Sequence, residues 1–221
     1  SAGLTMLENA MYWCRMMNKL TVYFSAIMML FCYAASAQST RTVEESQLIN
    51  KAEAAFSRLS SLRAEFIQIA ADGTISKGMI YLRRPYQLRL DYLNPDSLSL
   101  VTSKRVIYID DKVGKQVDVY PLSETPFAPM LRDEVRFTGP EFMTKARLES
   151  GVISIEMSRD TGDGAGSLTL EFNADTSRLM RWIIIDAIGV KTTVSLQNPV
   201  YDIRLENKLF GVPSHEPEKN N

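Results

Sequence analysis

The chain has little of the chemistry that most enzymes use. Its two cysteines, Cys14 and Cys32, lie near the N-terminus, and its single histidine, His215, lies in a polar tail. Proton transfer at neutral pH most often uses histidine, and zinc or copper sites usually need histidine or cysteine. We therefore expect a protein that is not an enzyme and that has no disulfide, no metal site and no cofactor.

An excess of charge of one sign is also missing. The chain has 25 basic and 26 acidic residues, which gives a net charge of −1. Nucleic-acid binding usually needs a clustered basic footprint, so we expect no nucleic-acid partner. The sequence shows no linker and no internal repeat, which favours one domain, and we expect that domain to be monomeric.

The most hydrophobic segment is Met17–Ala37. Its apolar run is shorter than the ~20 residues that span a bilayer, and Ala-Ser-Ala at 35–37 supplies the small residues that a signal peptidase reads. Residues 1–37 are predicted to hold a cleavable signal peptide, 38–213 the folded domain and 214–221 a polar tail. Export out of the cytoplasm follows. Acylation of Cys32 is disfavoured because the preceding Phe31 is not small.

The predicted domain opens with a helix over Thr40–Leu62. Thr42 and Glu45 have the spacing of a capping box. Apolar residues recur at three- and four-residue steps, as in an amphipathic helix. The residues predicted to face the core are Leu48, Ala52, Ala55, Phe56, Leu59 and Leu62. Further along the chain, Ser123–Arg136 is predicted to form one or two short helical turns.

Elsewhere the hydrophobic period is two, which predicts strands joined by short turns. The fold class is α+β, mainly β. We predict one antiparallel sheet of about ten to eleven strands that curls into a half-open barrel, because long sheets do not stay flat. The N-terminal helix and the mid-chain helical segment cover its concave face. The predicted strands are Leu62–Ala70, Ile75–Arg84, Gln87–Leu93, Ser97–Thr102, Arg105–Asp110, Gln116–Tyr120, Thr144–Glu149, Val152–Arg159, Ser167–Asn173, Leu179–Ala187, Val190–Gln197 and Tyr201–Leu205.

An ordered set of short motifs runs along the predicted strands. The motifs are Phe66-x-Gln68, Asp72-Gly73, Gly78-x-Ile80-Tyr81-Leu82-x-Arg84-Pro85, Leu88-Arg89-x-x-Tyr92, Leu100–Ser103, Val117–Leu122 and Leu205–Pro213. This set resembles the family of periplasmic outer-membrane lipoprotein carriers, LolA, and the resemblance implies the periplasm of a Gram-negative bacterium as the location. The resemblance implies a carrier that binds lipoprotein acyl chains in an apolar cavity and moves them from the inner to the outer membrane. It also implies two partners besides the acylated lipoproteins: an inner-membrane lipoprotein-releasing ABC transporter and, where one exists, an outer-membrane lipoprotein receptor.

The resemblance gives Arg84, which precedes Pro85, the role of a lid latch. Its guanidinium would donate hydrogen bonds to carbonyl oxygens of the lid, and the neighbouring Arg83 stays an alternative. The residues predicted to line the lipid cavity are Phe66, Tyr81, Leu88, Leu90, Tyr92, Leu100, Ile107 and Trp182. The residues predicted to form the lid are Phe56, Leu59, Phe127, Met130 and Leu131.

Two other functions stay open at this point. The same half-barrel could serve as a sensor or another module that binds acylated ligands. The second alternative is a carboxylate-based hydrolase, which would need two acidic side chains in one cleft. Asp91 and Asp110 are the candidates by strand position.

Overall fold

The computed structural model describes residues 42–93, 98–103, 105–125, 128–160 and 165–213. The predicted signal peptide, the lid residue Phe127 and the polar tail lie outside the described residues. No helix in the described part of the chain is long and apolar enough to cross a membrane.

Helix α1 runs over Val43–Arg58 and is shorter than predicted. Thr42 caps its N-terminus, since the side chain accepts a hydrogen bond from Glu45 N at 3.1 Å. The buried face carries Ile49, Ala52 and Phe56. This face is rotated from the predicted one, because Ile49 is buried and Leu48 is only half-buried. Leu62, predicted in the helix and in the first strand, belongs to the strand.

Eleven strands form one antiparallel sheet in the order β6-β5-β4-β3-β2-β1-β11-β10-β9-β8-β7. Hairpin connections link each strand to the next from β1 through β6 and from β7 through β11. The pairing of β1 with β11 unites the two halves. The sheet is open, because β6 and β7 lie at its two edges, and the predicted fold class is confirmed. The strands are β1 Ser61–Ile69, β2 Ile75–Arg83, β3 Gln87–Tyr92, β4 Leu98–Ser103, β5 Val106–Asp111, β6 Gln116–Pro121, β7 Met143–Glu149, β8 Val152–Arg159, β9 Gly166–Asn173, β10 Leu179–Ile185 and β11 Lys191–Tyr201.

The connection from β6 to β7 crosses from one edge of the sheet to the other, and we call it the crossover (residues 122–142). It contains a 3-10 turn at Leu122–Glu124 and a short helix α2 at Ala128–Leu131. Both lie within the predicted Ser123–Arg136 segment apart from Leu122. The four residues of α2 are buried. The crossover and α1 contribute to one hydrophobic core with the concave face of the sheet.

The C-terminal segment departs from the prediction. Tyr201 is the last residue of β11, and residues 203–206 are not a strand, so the strand predicted over Tyr201–Leu205 is wrong. The chain turns at Asp202, whose φ is +53°. A 3-10 turn at Asn207–Phe210 then packs against β3 and β4, and Phe210 is buried there. Part of the outer face of the sheet is therefore covered as well.

Candidate functional site

The concave face of the sheet contains an apolar cleft of about 80 Å³ beside α2. Strands β1, β3, β4, β10 and β11 and the helix supply its walls. The lining residues are Gln68, Leu88, Leu90, Tyr92, Leu100, Met130, Trp182, Ile184, Thr192 and Val194. Five residues predicted for the lipid cavity are among them, and Met130 comes from the predicted lid. The sequence analysis did not anticipate the other four lining residues, Gln68, Ile184, Thr192 and Val194.

Three other predicted cavity residues do not line this cleft. Phe66 and Ile107 belong to the core next to it and are almost fully buried. Tyr81 is on the opposite face of the sheet, because Ile80 and Leu82 on either side of it point into the core. Its cross-strand neighbours are the outward-facing Arg63 and Arg89. The placement of Tyr81 in the cavity is thus corrected.

Two polar side chains of the cleft, Gln68 and Tyr92, lie near the C-terminal ends of β1 and β3. The Tyr92 hydroxyl donates a hydrogen bond to Gln68 Oε1 at 2.9 Å. The Phe66 ring meets the Tyr92 ring edge-on, with 5.2 Å between the centroids, and fixes its orientation. Burial raises the pKa of Tyr92, and the bond to Gln68 opposes this shift only in part. The phenol therefore stays neutral, and the cleft holds no charge from its own lining residues.

Arg84 connects the sheet to the two segments that cover the cleft, which are the C-terminal end of α1 and the crossover. Its Nη1 donates to the carbonyl oxygen of Phe56 at 2.9 Å, and its Nη2 donates to the carbonyl oxygens of Arg132 at 2.9 Å and Asp133 at 3.0 Å. Burial lowers the pKa of the guanidinium, and Asp133 opposes that shift. Arginine stays charged in proteins, so these are charge-assisted bonds. Arg84 Nε is buried without a hydrogen-bond partner among the described residues.

The turn that carries Arg84 is fixed by a buried hydroxyl. Tyr86 has a φ of +64°, which is unfavourable for a bulky residue, and its N–H donates to Leu131 O at 2.8 Å. Thr102 Oγ1 donates to Tyr86 O at 2.7 Å and accepts from Leu88 N at 2.8 Å. Thr102 is fully buried. This threonine holds the turn in the conformation that presents Arg84 to the lid.

The part of the crossover that follows α2 is attached to α1. Glu53 Oε1 accepts a hydrogen bond from Phe137 N at 2.6 Å. The Phe137 ring packs against Phe56 of α1 and Phe172 of β9, with centroid distances of 5.9 Å and 6.4 Å. Of the predicted lid, Phe56, Leu59, Met130 and Leu131 are buried. Helix α1 and the crossover therefore form one connected cover.

A model of the family "Outer membrane lipoprotein carrier protein LolA" matches residues 57–213. The chain belongs to the LolA family. The match extends from the last turn of α1 to the C-terminal segment, so it includes the sheet, the crossover and Arg84. The resemblance read from the motifs is confirmed. No curated protein matches this LolA-family chain.

The chain is also similar to solved structures of low identity. One is an uncharacterized conserved protein from Thermus thermophilus, with a TM-score of 0.46, 11% identity and coverage of 76% of this chain and 93% of that chain. A second is the LolA superfamily protein NE2245 from Nitrosomonas europaea, with a TM-score of 0.44, 12% identity and coverage of 76% and 97%. A third is MucB, with a TM-score of 0.46, 14% identity and coverage of 78% and 64%. The family assignment rests on the family model alone.

The two neighbouring arginines of this LolA-family chain make different contacts. Arg83 lies on the outer face, where its Nη1 donates to Leu205 O at 2.8 Å. Its guanidinium carbon is 4.7 Å from the centre of the Phe210 ring. Arg83 thus binds the C-terminal segment, whereas Arg84 binds the cover of the cleft. This division makes Arg83 a matched control for Arg84.

The acidic candidates for a hydrolase lie away from the cleft. Asp91 follows the cleft-lining Leu90 on the opposite face, and it forms an ion pair with Arg89 at 2.7 Å. Asp110 is buried on that same face, where Ser99 is its cross-strand neighbour. Neither carboxylate lines the apolar cleft. Among the described residues, no cluster of three or more histidine, cysteine or acidic side chains could hold a metal ion.

Proposed function

We propose that the protein binds the acyl chains of lipoproteins in the apolar cleft and carries them through the periplasm from the inner to the outer membrane. The observation that carries this proposal is the set of Arg84 hydrogen bonds, which attach α1 and the crossover to the sheet beside an apolar cleft. Membership of the LolA family supports it. A carrier needs to cover and uncover an apolar surface, and it needs no catalytic group.

The volume of the cleft supports a closed state of the cover. Ligand pockets usually have volumes of about 300–1,000 Å³. The cleft, at about 80 Å³, is much smaller, and the side chain of Met130 forms part of its wall. An acyl chain can therefore enter only if α2 moves away from the sheet. Methionine suits such a position, because its unbranched side chain repacks easily.

Movement of α2 breaks the contacts of Arg84. The bonds to the carbonyls of Arg132 and Asp133 exist only while the crossover lies on the sheet. Lipid contacts stabilise the open state, whereas the Arg84 bonds stabilise the closed state, so the two compete. Loading by an inner-membrane lipoprotein-releasing ABC transporter would open the cover. Delivery to the outer membrane, through a receptor where one exists, would allow Arg84 to close it.

A pair of synthetic lipopeptides tests this function. One carries the triacylated N-terminal cysteine of a bacterial lipoprotein, and the other has the same peptide sequence without acyl chains. Protein exported by a Gram-negative host should bind the acylated peptide and leave the other unbound, as measured by fluorescence anisotropy. Mass spectrometry of the purified protein should also find bound acyl chains. Equal binding of both peptides, or binding of neither, would contradict the proposal.

A further inference from the structure

Three neighbouring hairpins at one end of the sheet expose apolar side chains. They are the β1–β2, β3–β4 and β10–β11 hairpins, whose strands are adjacent in the order β4-β3-β2-β1-β11-β10. Ile75 is 58% exposed, Leu93 is 64% exposed and Ile188 is 85% exposed. We call the exposed apolar residues that the structure describes in these hairpins the lip: Ile69, Ile75, Leu93, Ile185 and Ile188. Contiguous exposed apolar surface marks an interaction site more often than single exposed residues do.

The lip lies beside residues that line the cleft. Successive residues of a strand point to opposite faces of the sheet. The cleft-lining residues nearest the lip are Gln68, Tyr92, Ile184 and Thr192. The first three are each followed by an exposed apolar residue, namely Ile69, Leu93 and Ile185, and Thr192 is preceded by the exposed Lys191. The strand ends beside this part of the cleft therefore have a largely apolar outer surface.

The lysines and the aspartates next to the lip differ in their partners. Lys77 and Lys191 are exposed, and neither takes part in an ion pair among the described residues. The carboxylates of Asp72 and Asp186 instead accept hydrogen bonds from backbone N–H groups of their own turns. Asp72 Oδ1 lies 2.9 Å from Thr74 N, and Asp186 Oδ1 lies 3.0 Å from Ile188 N. The lysine ammonium groups are thus available to an external anion.

We infer that the lip is a membrane-contact surface for a bilayer that carries anionic phospholipids. The apolar side chains of the lip enter the boundary between headgroups and acyl chains, while Lys77 and Lys191 meet phosphate groups. An acyl chain can then pass between the bilayer and the cleft past Tyr92 and Ile184. Apolar side chains next to lysines without ion pairs suit an anionic bilayer, and contact at the lip brings that bilayer beside the cleft. This inference rests on the proposed lipid-carrying function.

Vesicle co-sedimentation of the exported protein tests the inference. Vesicles of phosphatidylcholine are compared with vesicles that also contain phosphatidylglycerol. Wild-type protein should bind the anionic vesicles, and the double variant Ile75→Asp/Ile188→Asp should bind them about tenfold more weakly, because each aspartate keeps its tip out of the apolar layer. The variant Lys77→Glu/Lys191→Glu should lose the preference for phosphatidylglycerol. Val200→Asp is the matched control, since Val200 is 42% exposed at the opposite end of β11.

The outcomes separate this inference from the proposed function. An apolar fluorophore offered in solution should bind the double lip variant as tightly as it binds wild type, since neither residue lines the cleft. Retained fluorophore binding together with no vesicle binding by wild type would overturn the membrane contact and leave the carrier function standing. Equal vesicle binding by wild type and the lip variant would also overturn it. Failure of wild type to bind acylated peptide would instead contradict the carrier function.

Discussion

Arg84 Nη1 lies 2.9 Å from the carbonyl oxygen of Phe56, and this hydrogen bond joins the β2–β3 turn to the last turn of α1. The same carbonyl accepts a bond from Leu59 N at 3.2 Å. A cation is favourable there, because the C-terminal end of a helix carries partial negative charge. A single guanidinium therefore connects the helix end, the crossover and the sheet, and its removal affects all three.

Replacement of Arg84 by leucine should uncouple loading from release. The variant loses three charge-assisted hydrogen bonds, each worth roughly 1.5–3 kcal/mol, and all three belong to the closed cover. We expect Arg84→Leu to bind acylated peptide at least as tightly as wild type and to transfer it more slowly to acceptor vesicles. Closure of the empty cleft no longer offsets the lost lipid contacts. Stopped-flow fluorescence of the labelled peptide measures the transfer.

Arg83→Leu is the control for this experiment, because Arg83 binds the C-terminal segment and has no contact with the crossover among its hydrogen bonds. Its transfer rate should equal that of wild type. Slow transfer by Arg83→Leu with normal transfer by Arg84→Leu would assign the latch to the other arginine. Normal transfer by both variants would remove the latch from the mechanism.

Met130 and Leu131 provide a matched pair that separates ligand affinity from stability. Both are buried in α2, but only Met130 lines the cleft. Truncation of either residue to alanine should destabilise the protein by roughly 2–5 kcal/mol, since buried large residues lose contacts and leave a void. Only Met130→Ala enlarges the cleft, so only this variant should bind an apolar fluorophore more tightly. Urea denaturation and fluorophore titration measure the two effects. Equal affinities of the two variants would show that Met130 does not limit the cleft.

Strand periodicity predicted one side of the cleft but failed on β2. In β3 the apolar Leu88 and Leu90 alternate with polar residues, and the alternation correctly predicts that they share a face. In β2 the run Met79–Leu82 is apolar at every position, so the period cannot say which face a residue occupies. The cause is physical: one face of this strand packs in the core, and Met79 and Tyr81 on the other face are half-buried rather than exposed. Tyr81 was therefore placed on the wrong face.

Some residues of the site could be predicted from the sequence, and others could not. Arg84 was found because it precedes Pro85 in a motif of the family. Thr102 was missed because its role depends on the pairing of β4 with β3, which brings its hydroxyl to the backbone of Tyr86. Nothing in the local sequence distinguishes this threonine from one that only packs in a strand. Glu53 was missed for the same reason, since its acceptor role depends on where the crossover ends.

Substitution of Thr102 by valine should loosen the turn that carries Arg84. Valine keeps the shape of the side chain but leaves Leu88 N and Tyr86 O without their buried partner. We expect a loss of about 1–3 kcal/mol in the free energy of unfolding, as measured by urea denaturation. Thr102→Ser restores the hydroxyl and should recover most of the loss. If the serine variant is as unstable as the valine variant, packing of the methyl group accounts for the effect instead.

Asp202 should make stability depend on pH on the acid side. Its carboxylate accepts hydrogen bonds from Ser60 N at 3.1 Å and Ser60 Oγ at 2.9 Å, and these bonds, the backbone one first, lower the pKa of Asp202. An unfolded aspartate titrates at about pH 3.9. The folded protein thus prefers the ionised form, so this contribution is present above that pH and is lost as pH falls through the lower folded pKa. Asp202→Asn should therefore reduce stability at neutral pH and flatten the decline in acid, as measured by urea denaturation across that range. The exposed Asp175→Asn, in the β9–β10 turn, should retain the wild-type profile. If the free energies of unfolding of Asp202→Asn and wild type differ by the same amount at every pH, the effect comes from the shape of the turn rather than from the charge.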